Sequence, residues 1–404
     1  MIDFSLTPEQ KTLQKVAREY SEDILKPVIR AADAEPDPIK GFQMIKPAYQ
    51  KAYEMGFATG FLPKEYGGGG LTNIDVLIAV EEIAAVDPGF GCVLLVNGLA
   101  LMPLVWFGKA EQKKKWLTEA CHSPTKDYLA GWVVSEPAGS PGGTANFDHP
   151  SPKAGIQVTA DLKNGEYVIN GRKYWPSSAA GWDMKGANVN TVVVRTDRTK
   201  GGKGALSCIL VPRGTPGVTF GPPMSKMGIR TSPTGEVAFD DCFVPESARL
   251  GPEGAGMRIF NSAMEWERAC IFASHVGAME RLLEDSIKYA RERKQFGQPI
   301  AKYEAVANRI VELKVAIEAG RLLVYYVGWL HEQHKSALME SAIAKLFVGE
   351  HHVQAALDAV KNFGGFGYMK DSPVERELRD SISGIIYSGT SDIQRRIIAR
   401  CLGL

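Results

Sequence analysis

The chain has 404 residues, 45% hydrophobic and 23% charged, enough for two or three packed units with large buried cores. Its 47 Lys and Arg against 46 Asp and Glu leave a formal net charge of +1, which gives no field suited to nucleic acid or an anionic membrane. Cys92, Cys121, Cys208, Cys242, Cys270 and Cys401 are scattered without Cys-x-x-Cys spacing, so reduced thiols in a cytoplasmic protein are expected, with neither disulfide nor metal.

In chain order, Met1–Tyr20 has helical charge alternation and no apolar signal core, which argues against secretion. Helices are predicted from Thr7 to Ala32 and from Asn73 to Val86. Pro88–Gly108 carries no charge over roughly the ~20 residues a bilayer demands. Two prolines, several glycines and Asn97 interrupt it, and it is read as a buried core helix rather than a membrane span. From Asp127 onward the apolar runs shorten to strand length: Leu129–Val134, Ile156–Ala160, Tyr167–Ile169, Thr191–Arg195, Leu206–Pro212, Val218–Phe220 and Glu236–Val244. After Gly254 long helices return: Met257 to about Arg293, Lys302–Gln333, Lys335–Asn362 and a last one ending near Leu402. Three units are expected, over residues 1–127, 128–250 and 251–404. His331, His334, His351 and His352 offer no third metal ligand and are read as helix-surface side chains.

Several stretches resemble the acyl-CoA dehydrogenase family. Leu62-Pro63-Lys64-Glu65-Tyr66-Gly67-Gly68 is similar to its Pro-Glu-x-Tyr-Gly-Gly turn, and Lys361–Leu404 to its C-terminal helical run. The resemblance spans essentially the whole chain. It implies a multidomain α+β fold: an N-terminal helical domain, a small middle β-barrel or sandwich, and a C-terminal four-helix bundle. It also implies FAD. Trp132–Ser140 resembles the family's strand and turn that bonds the flavin pyrimidine edge, which gives that role to Ser135 and Ser140. Trp175-Pro176-Ser177 matches a Trp-Ile-Thr segment, so Trp175 packs by the isoalloxazine and the Ser177 hydroxyl reaches flavin N5. Arg291–Ile300 is similar to an Arg-x-x-Phe-Gly element that acts on the FAD of a neighbouring subunit, assigning the pyrophosphate to Arg293 and the cofactor's flank to Phe296. A guanidinium matches two phosphate oxygens at once. Gly364-Gly365-Phe366-Gly367 resembles the phosphate-contacting Gly-Gly-x-Gly turn, with Gly365 at its centre. Lys361 stands where the family has glutamine, and Thr390 matches a cofactor-contacting threonine. The loops 141–155 and 181–190 are longer than in typical members and are expected to shape access to the site.

One position departs from the family's commonest pattern. Many members place the catalytic glutamate before Gly-Thr, where this chain has Ser388. Met257–Leu283 is apolar around most of its circumference, which makes its glutamates conspicuous. Glu265 and Glu267 lie two positions apart, roughly 200° around a helix, so only one can enter a given pocket. Isovaleryl-CoA and long-chain acyl-CoA dehydrogenases carry the base on this helix in a Glu-Arg pair, and Glu267-Arg268 beside Ser388 reproduces that alternative. Burial raises a carboxylate's pKa and strengthens it as a base toward carbon. The resemblance gives the thioester oxygen to a flavin ribityl hydroxyl and the Ser388 backbone N–H, and places Arg268 near the carrier arm. The expected reaction introduces an α,β double bond into an acyl-CoA, in a homotetramer served by an electron-transfer flavoprotein. Open alternatives are a carrier-protein-bound aminoacyl substrate, as in prolyl-carrier-protein dehydrogenases, an oxygen-using acyl-CoA oxidase or flavin monooxygenase, and a non-catalytic flavoprotein. An inert site, or Glu265 as the base, is also left open.

Overall fold

A computed structural model of the chain describes residues 5–137, 151–202 and 204–404. The first layer is helical: α1 (Pro8–Tyr20), α2 (Lys26–Ala34), α3 (Pro38–Met44), α4 (Lys46–Glu54), α5 (Asn73–Ala84), α6 (Pro88–Phe107) and α7 (Ala110–Cys121). Their starts follow from capping chemistry. Thr7 with Gln10 and Thr72 with Asp75 form reciprocal capping boxes on α1 and α5, satisfying N–H groups that a helix start otherwise leaves unpaired. The Asp87 carboxylate accepts from the N–H groups of Gly89 and Phe90 at the start of α6. A π-turn over Ser21–Leu25 joins α1 to α2, so the predicted Thr7–Ala32 segment runs on to Ala34.

The uncharged stretch from Pro88 is α6, long and apolar enough to cross a membrane yet mostly buried against the rest of the chain. Its lone amide serves the packing. Asn97 donates to the Tyr49 hydroxyl at 2.6 Å and accepts from the Ala130 N–H at 2.8 Å, which ties α6 to the first strand without an unpaired buried group.

The strands β1 (Ala130–Val133), β2 (Thr159–Lys163), β3 (Glu166–Ser177), β4 (Val189–Arg195), β5 (Leu206–Pro212), β6 (Val218–Phe220), β7 (Thr234–Pro245) and β8 (Arg249–Leu250) form one sheet in the order β6-β7-β3-β2-β4-β5-β8, with β1 parallel to β4. This sheet encloses a core of its own. Val192, Val194, Ile209, Val211, Val237 and Phe239 point into it, while Val189, Val193, Leu206, Cys208 and Leu210 face the helical core. Both faces of β4 and β5 are therefore covered, and both read as nearly continuous apolar runs.

The chain then returns to helices: α8 (Gly256–Glu292), a short hairpin of β9 (Lys294–Gln295) and β10 (Gln298–Pro299), then α9 (Glu304–Glu332), α10 (Leu338–Phe363), α11 (Pro373–Ser381) and α12 (Ser391–Cys401). α8 is the central helix of this layer, packed by α5, α6, α9 and α10. The histidines correct one expectation. His334 and His351 are exposed, but His352 is fully buried, because its face of α10 turns toward α8 and α11, where His275 and Glu377 meet it.

Candidate functional site

Where α6, α8, the ends of β1 and β3 and the turn before α12 converge, they enclose a cavity of about 830 Å³, within the span of ligand pockets, roughly 300–1,000 Å³. Cys92, Leu95, Val96 and Leu99 contribute one face of α6 at helical spacing. Opposite stand Trp132, Ser135, Tyr174, Trp175, Pro176 and Ser177 from the sheet.

A buried ion pair sets the sheet's side of this wall. Glu136 follows Ser135 directly, and its carboxylate takes the Lys173 ammonium at 3.0 Å and the N–H groups of Gln157 and Val158. Both partners are almost completely buried, and burial lowers the Lys173 pKa to about 8 against the pull of Glu136. The stretch bearing Ser135 is thereby pinned to β3 at the strand that delivers Trp175 and Ser177.

On the helix side, Glu267 and Arg268 both reach the cavity and are only 8% and 4% exposed. Burial raises the Glu267 carboxyl to about 7, opposed by the Ser388 hydroxyl and the charges of Arg268 and Lys345. Ser388 Oγ donates to Glu267 Oε1 at 2.6 Å, and Oε2 is buried with no partner. Arg268 Nε donates to the Ser388 carbonyl at 3.3 Å, leaving Nη1 without an acceptor. Glu265 turns the other way. It accepts from the Ser336 hydroxyl and, at 2.8 Å, from the Ala337 N–H at the start of α10, as the angular separation on the helix requires.

Ser388 and Gly389 both adopt left-handed backbone, with φ of 58° and 86°. The Gln394 amide holds this turn from α12 by donating to the carbonyls of Ser388 and Gly389. The Ser388 N–H has no acceptor among the described residues, so the turn presents a free main-chain donor beside the carboxylate. Thr390, also at the cavity, caps α12.

Of the residues singled out from sequence, Ser135, Trp175, Ser177, Glu267, Arg268, Ser388 and Thr390 come together at this cavity. Ser140 lies outside the described residues, as does the stretch 141–150. Arg293, Phe296, Lys361 and Gly365 are brought together elsewhere, at the far end of α8 and α10, whose termini meet through a Tyr289–Phe363 stack at 4.0 Å. Phe296 tops the β9–β10 hairpin and is 94% exposed. Lys361 is ion-paired to Asp358 at 2.7 Å, and a Cβ on Gly365 would meet open space. The loop 181–190 does not line the cavity. Trp182 instead stacks on Phe42 at 4.1 Å and donates to the Asp127 carbonyl, docking the sheet on α3. Tyr387, which lines the cavity, and the buried Lys345 were not singled out. A lysine on a helix face otherwise built of Ala342, Ala344 and Val348 is the signal that marks Lys345.

Residues 7–123 match the acyl-CoA dehydrogenase N-terminal domain, 145–242 the middle domain and 254–403 the C-terminal domain. The chain belongs to the acyl-CoA dehydrogenase family. It is an FAD-dependent oxidoreductase acting on a CH–CH bond. Among its relatives, the L-prolyl-[peptidyl-carrier protein] dehydrogenase of a Serratia species is 34% identical over 100% of this chain and 99% of that one. The solved structure of butyryl-CoA dehydrogenase from Megasphaera elsdenii superimposes with a TM-score of 0.90 at 29% identity, covering all of both chains. That of the FAD complex of PigA gives 0.87 at 32%, again over all of both. The cavity fits a flavin on its own evidence: a half-exposed Trp175 ring at its edge, the Ser135 and Ser177 hydroxyls, and an indole N–H of Trp132 that is buried without a partner.

Proposed function

We propose that the protein oxidises the α,β bond of an acyl thioester, with Glu267 as the base that takes the α-proton. The observation that carries this reading is the unpartnered Oε2 of Glu267, buried at the wall of the large cavity while its sister oxygen is fixed by Ser388. A carboxyl raised to about 7 is half ionised near neutrality and accepts a carbon-bound proton better than an ordinary one. On this reading the Ser388 N–H, left without an acceptor among the described residues, donates to the thioester oxygen, an interaction that strengthens as negative charge gathers there. The apolar faces of α6 and α8 keep water from the carboxylate, and the free Nη1 of Arg268 is available to the arm that carries the acyl group. FAD supplies the acceptor for the hydride that leaves the β-carbon. On this reading Ser135, Trp175, Ser177 and Thr390 hold one FAD, while Arg293, Phe296, Lys361 and Gly365 reach the FAD of a second copy.

The outward position of that second group supports a homo-oligomer, which we take to be a tetramer, and the composition supports a cytoplasmic location. An acyl-CoA is the leading substrate, with an electron-transfer flavoprotein as electron acceptor. Full-length similarity to a prolyl-carrier-protein dehydrogenase favours, as the second reading, an aminoacyl group on a carrier protein. Anaerobic titration of the yellow protein with acyl-CoAs and acyl-carrier proteins, followed by flavin bleaching, separates the two. Glu267→Gln is expected to lower kcat by about 10²–10⁴-fold with flavin retained. Wild-type turnover in that variant overturns the assignment.

A further inference from the structure

Behind the cavity runs a chain of buried groups that the reaction does not itself require. The Tyr387 hydroxyl lies 2.5 Å from His275 Nε2, His275 Nδ1 lies 2.6 Å from His352 Nδ1, and His352 Nε2 lies 2.8 Å from Glu377 Oε1. Glu377 Oε2 is paired with Arg281. His275, His352 and Glu377 are all fully buried. The ring of His275 stacks on Phe272 at 4.9 Å, and Gly384 lets the turn before Tyr387 close on it, because a Cβ there would stand 2.9 Å from His275 Cε1.

Donors and acceptors along this chain can be ordered from its far end. Burial pushes Glu377 up, but the Arg281 charge and the hydrogen bond from His352 outweigh it and hold the carboxyl at about 2, so Glu377 is an acceptor. His352 must then donate from Nε2. In a neutral ring that leaves Nδ1 bare, so His275 donates from Nδ1 and presents a bare Nε2 to the Tyr387 O–H. Burial, the largest influence, holds His275 well below its ordinary pKa, which keeps that ring neutral. Every donor therefore points away from the cavity, and the two imidazoles carry opposite tautomers.

We propose that Tyr387 is a positioning residue for the reactive turn, and that the His275–His352–Glu377 chain fixes its hydroxyl so that Ser388 stays aligned with Glu267. Tyr387 directly precedes Ser388, whose left-handed backbone persists only where its surroundings over-determine it. Gln394 restrains the turn from one side and Tyr387 from the other. The inference rests on Glu267 as the base, since alignment with that carboxylate is what the chain is held to serve.

The test uses holoenzyme labelled with ¹⁵N at histidine. His275 is expected to be protonated at Nδ1 only and His352 at Nε2 only at neutral pH. Tyr387→Phe is expected to lower kcat about tenfold while KM and flavin content stay within about twofold, the signature of a small misalignment. His352→Gln keeps one donor and one acceptor and is expected to stay near wild type, whereas His352→Leu, of similar bulk, is expected to fall at least as far as Tyr387→Phe. Matching tautomers, wild-type kcat in Tyr387→Phe, or equal losses in the two His352 variants overturn the proposal. Failure of the base assignment looks different: Glu267→Gln would turn over normally while the opposite tautomers persisted.

Discussion

Burial is the largest influence on the Glu267 carboxyl and raises it to about 7. The groups that face it are Arg268 and Cys270 on α8, Lys345 on α10, Cys92 on α6, and Tyr387 and Ser388 on the turn. Because the base acts ionised, kcat/KM is expected to rise with pH through about 7 along a single-proton limb. Ser388→Ala removes a donor to the carboxylate and Lys345→Met a nearby positive charge, so each should move that limb to higher pH; a limb left in place would refute the assignment. The sign for stability is the reverse. Native Glu267 holds its proton more tightly than an ordinary carboxyl at 4.5, so its contribution is complete below that pH and is lost as pH rises through about 7. That Glu267 rather than Glu265 would reach the cavity was legible in sequence from the Glu-Arg pair of the family resemblance, on a helix whose apolar surround makes a charge conspicuous. The burial of His352 was not, since Glu377, which satisfies it, belongs to another helix and no local pattern connects the two.

At the scale of elements, two of the predicted strands, Leu206–Pro212 and Val218–Phe220, match β5 and β6 residue for residue. Others shifted for identifiable reasons. Gln157 and Val158 were expected at the start of β2, but their N–H groups bond the Glu136 carboxylate instead of a neighbouring strand. Asn170-Gly171 has the composition of a turn, yet Gly171, at φ of 130°, absorbs a register shift and lets β3 continue to Ser177. Composition alone does not distinguish a bulge from a turn. The Glu136–Lys173 pair at this junction gives a stability prediction. Lys173→Met removes the countercharge of a buried carboxylate and should cost about 3–5 kcal/mol, seen as a lower unfolding midpoint and weaker flavin retention, while adding Glu136→Gln should recover part of the loss. α6 gives another. A Cβ at Gly98 would lie 2.1 Å from the Trp266 ring, next to Glu267. Gly98→Ala improves helix propensity by about 1 kcal/mol but must displace that indole. We expect kcat to fall, and unchanged kcat would show that α6 yields instead.

For the whole molecule, the order of helical, β and helical layers was readable because apolar spacing changes twice along the chain. How copies associate is not carried by periodicity. α9 exposes Val311, Val315, Leu322, Tyr326 and Trp329, positions that a helix packed only within its own chain would be expected to fill with polar groups. At the end of α8 and α10 a second apolar surface, formed by Phe296, Phe366, Tyr368 and Met369, is also left open. Scattered apolar side chains need no explanation, but grouped ones mark association sites. The two surfaces allow separate tests. If α9 joins copies, Leu322→Glu with Tyr326→Glu should reduce the mass in solution from that of the unmodified protein toward the 44.0 kDa of a single chain. If the hairpin completes a neighbour's flavin site, Phe296→Ser with Arg293→Ala should lower bound FAD while helix content is preserved, because both side chains are exposed and support no core. Light scattering and flavin absorbance measured on the same samples decide between them: full FAD occupancy in the hairpin variant would place the whole cofactor site within one chain.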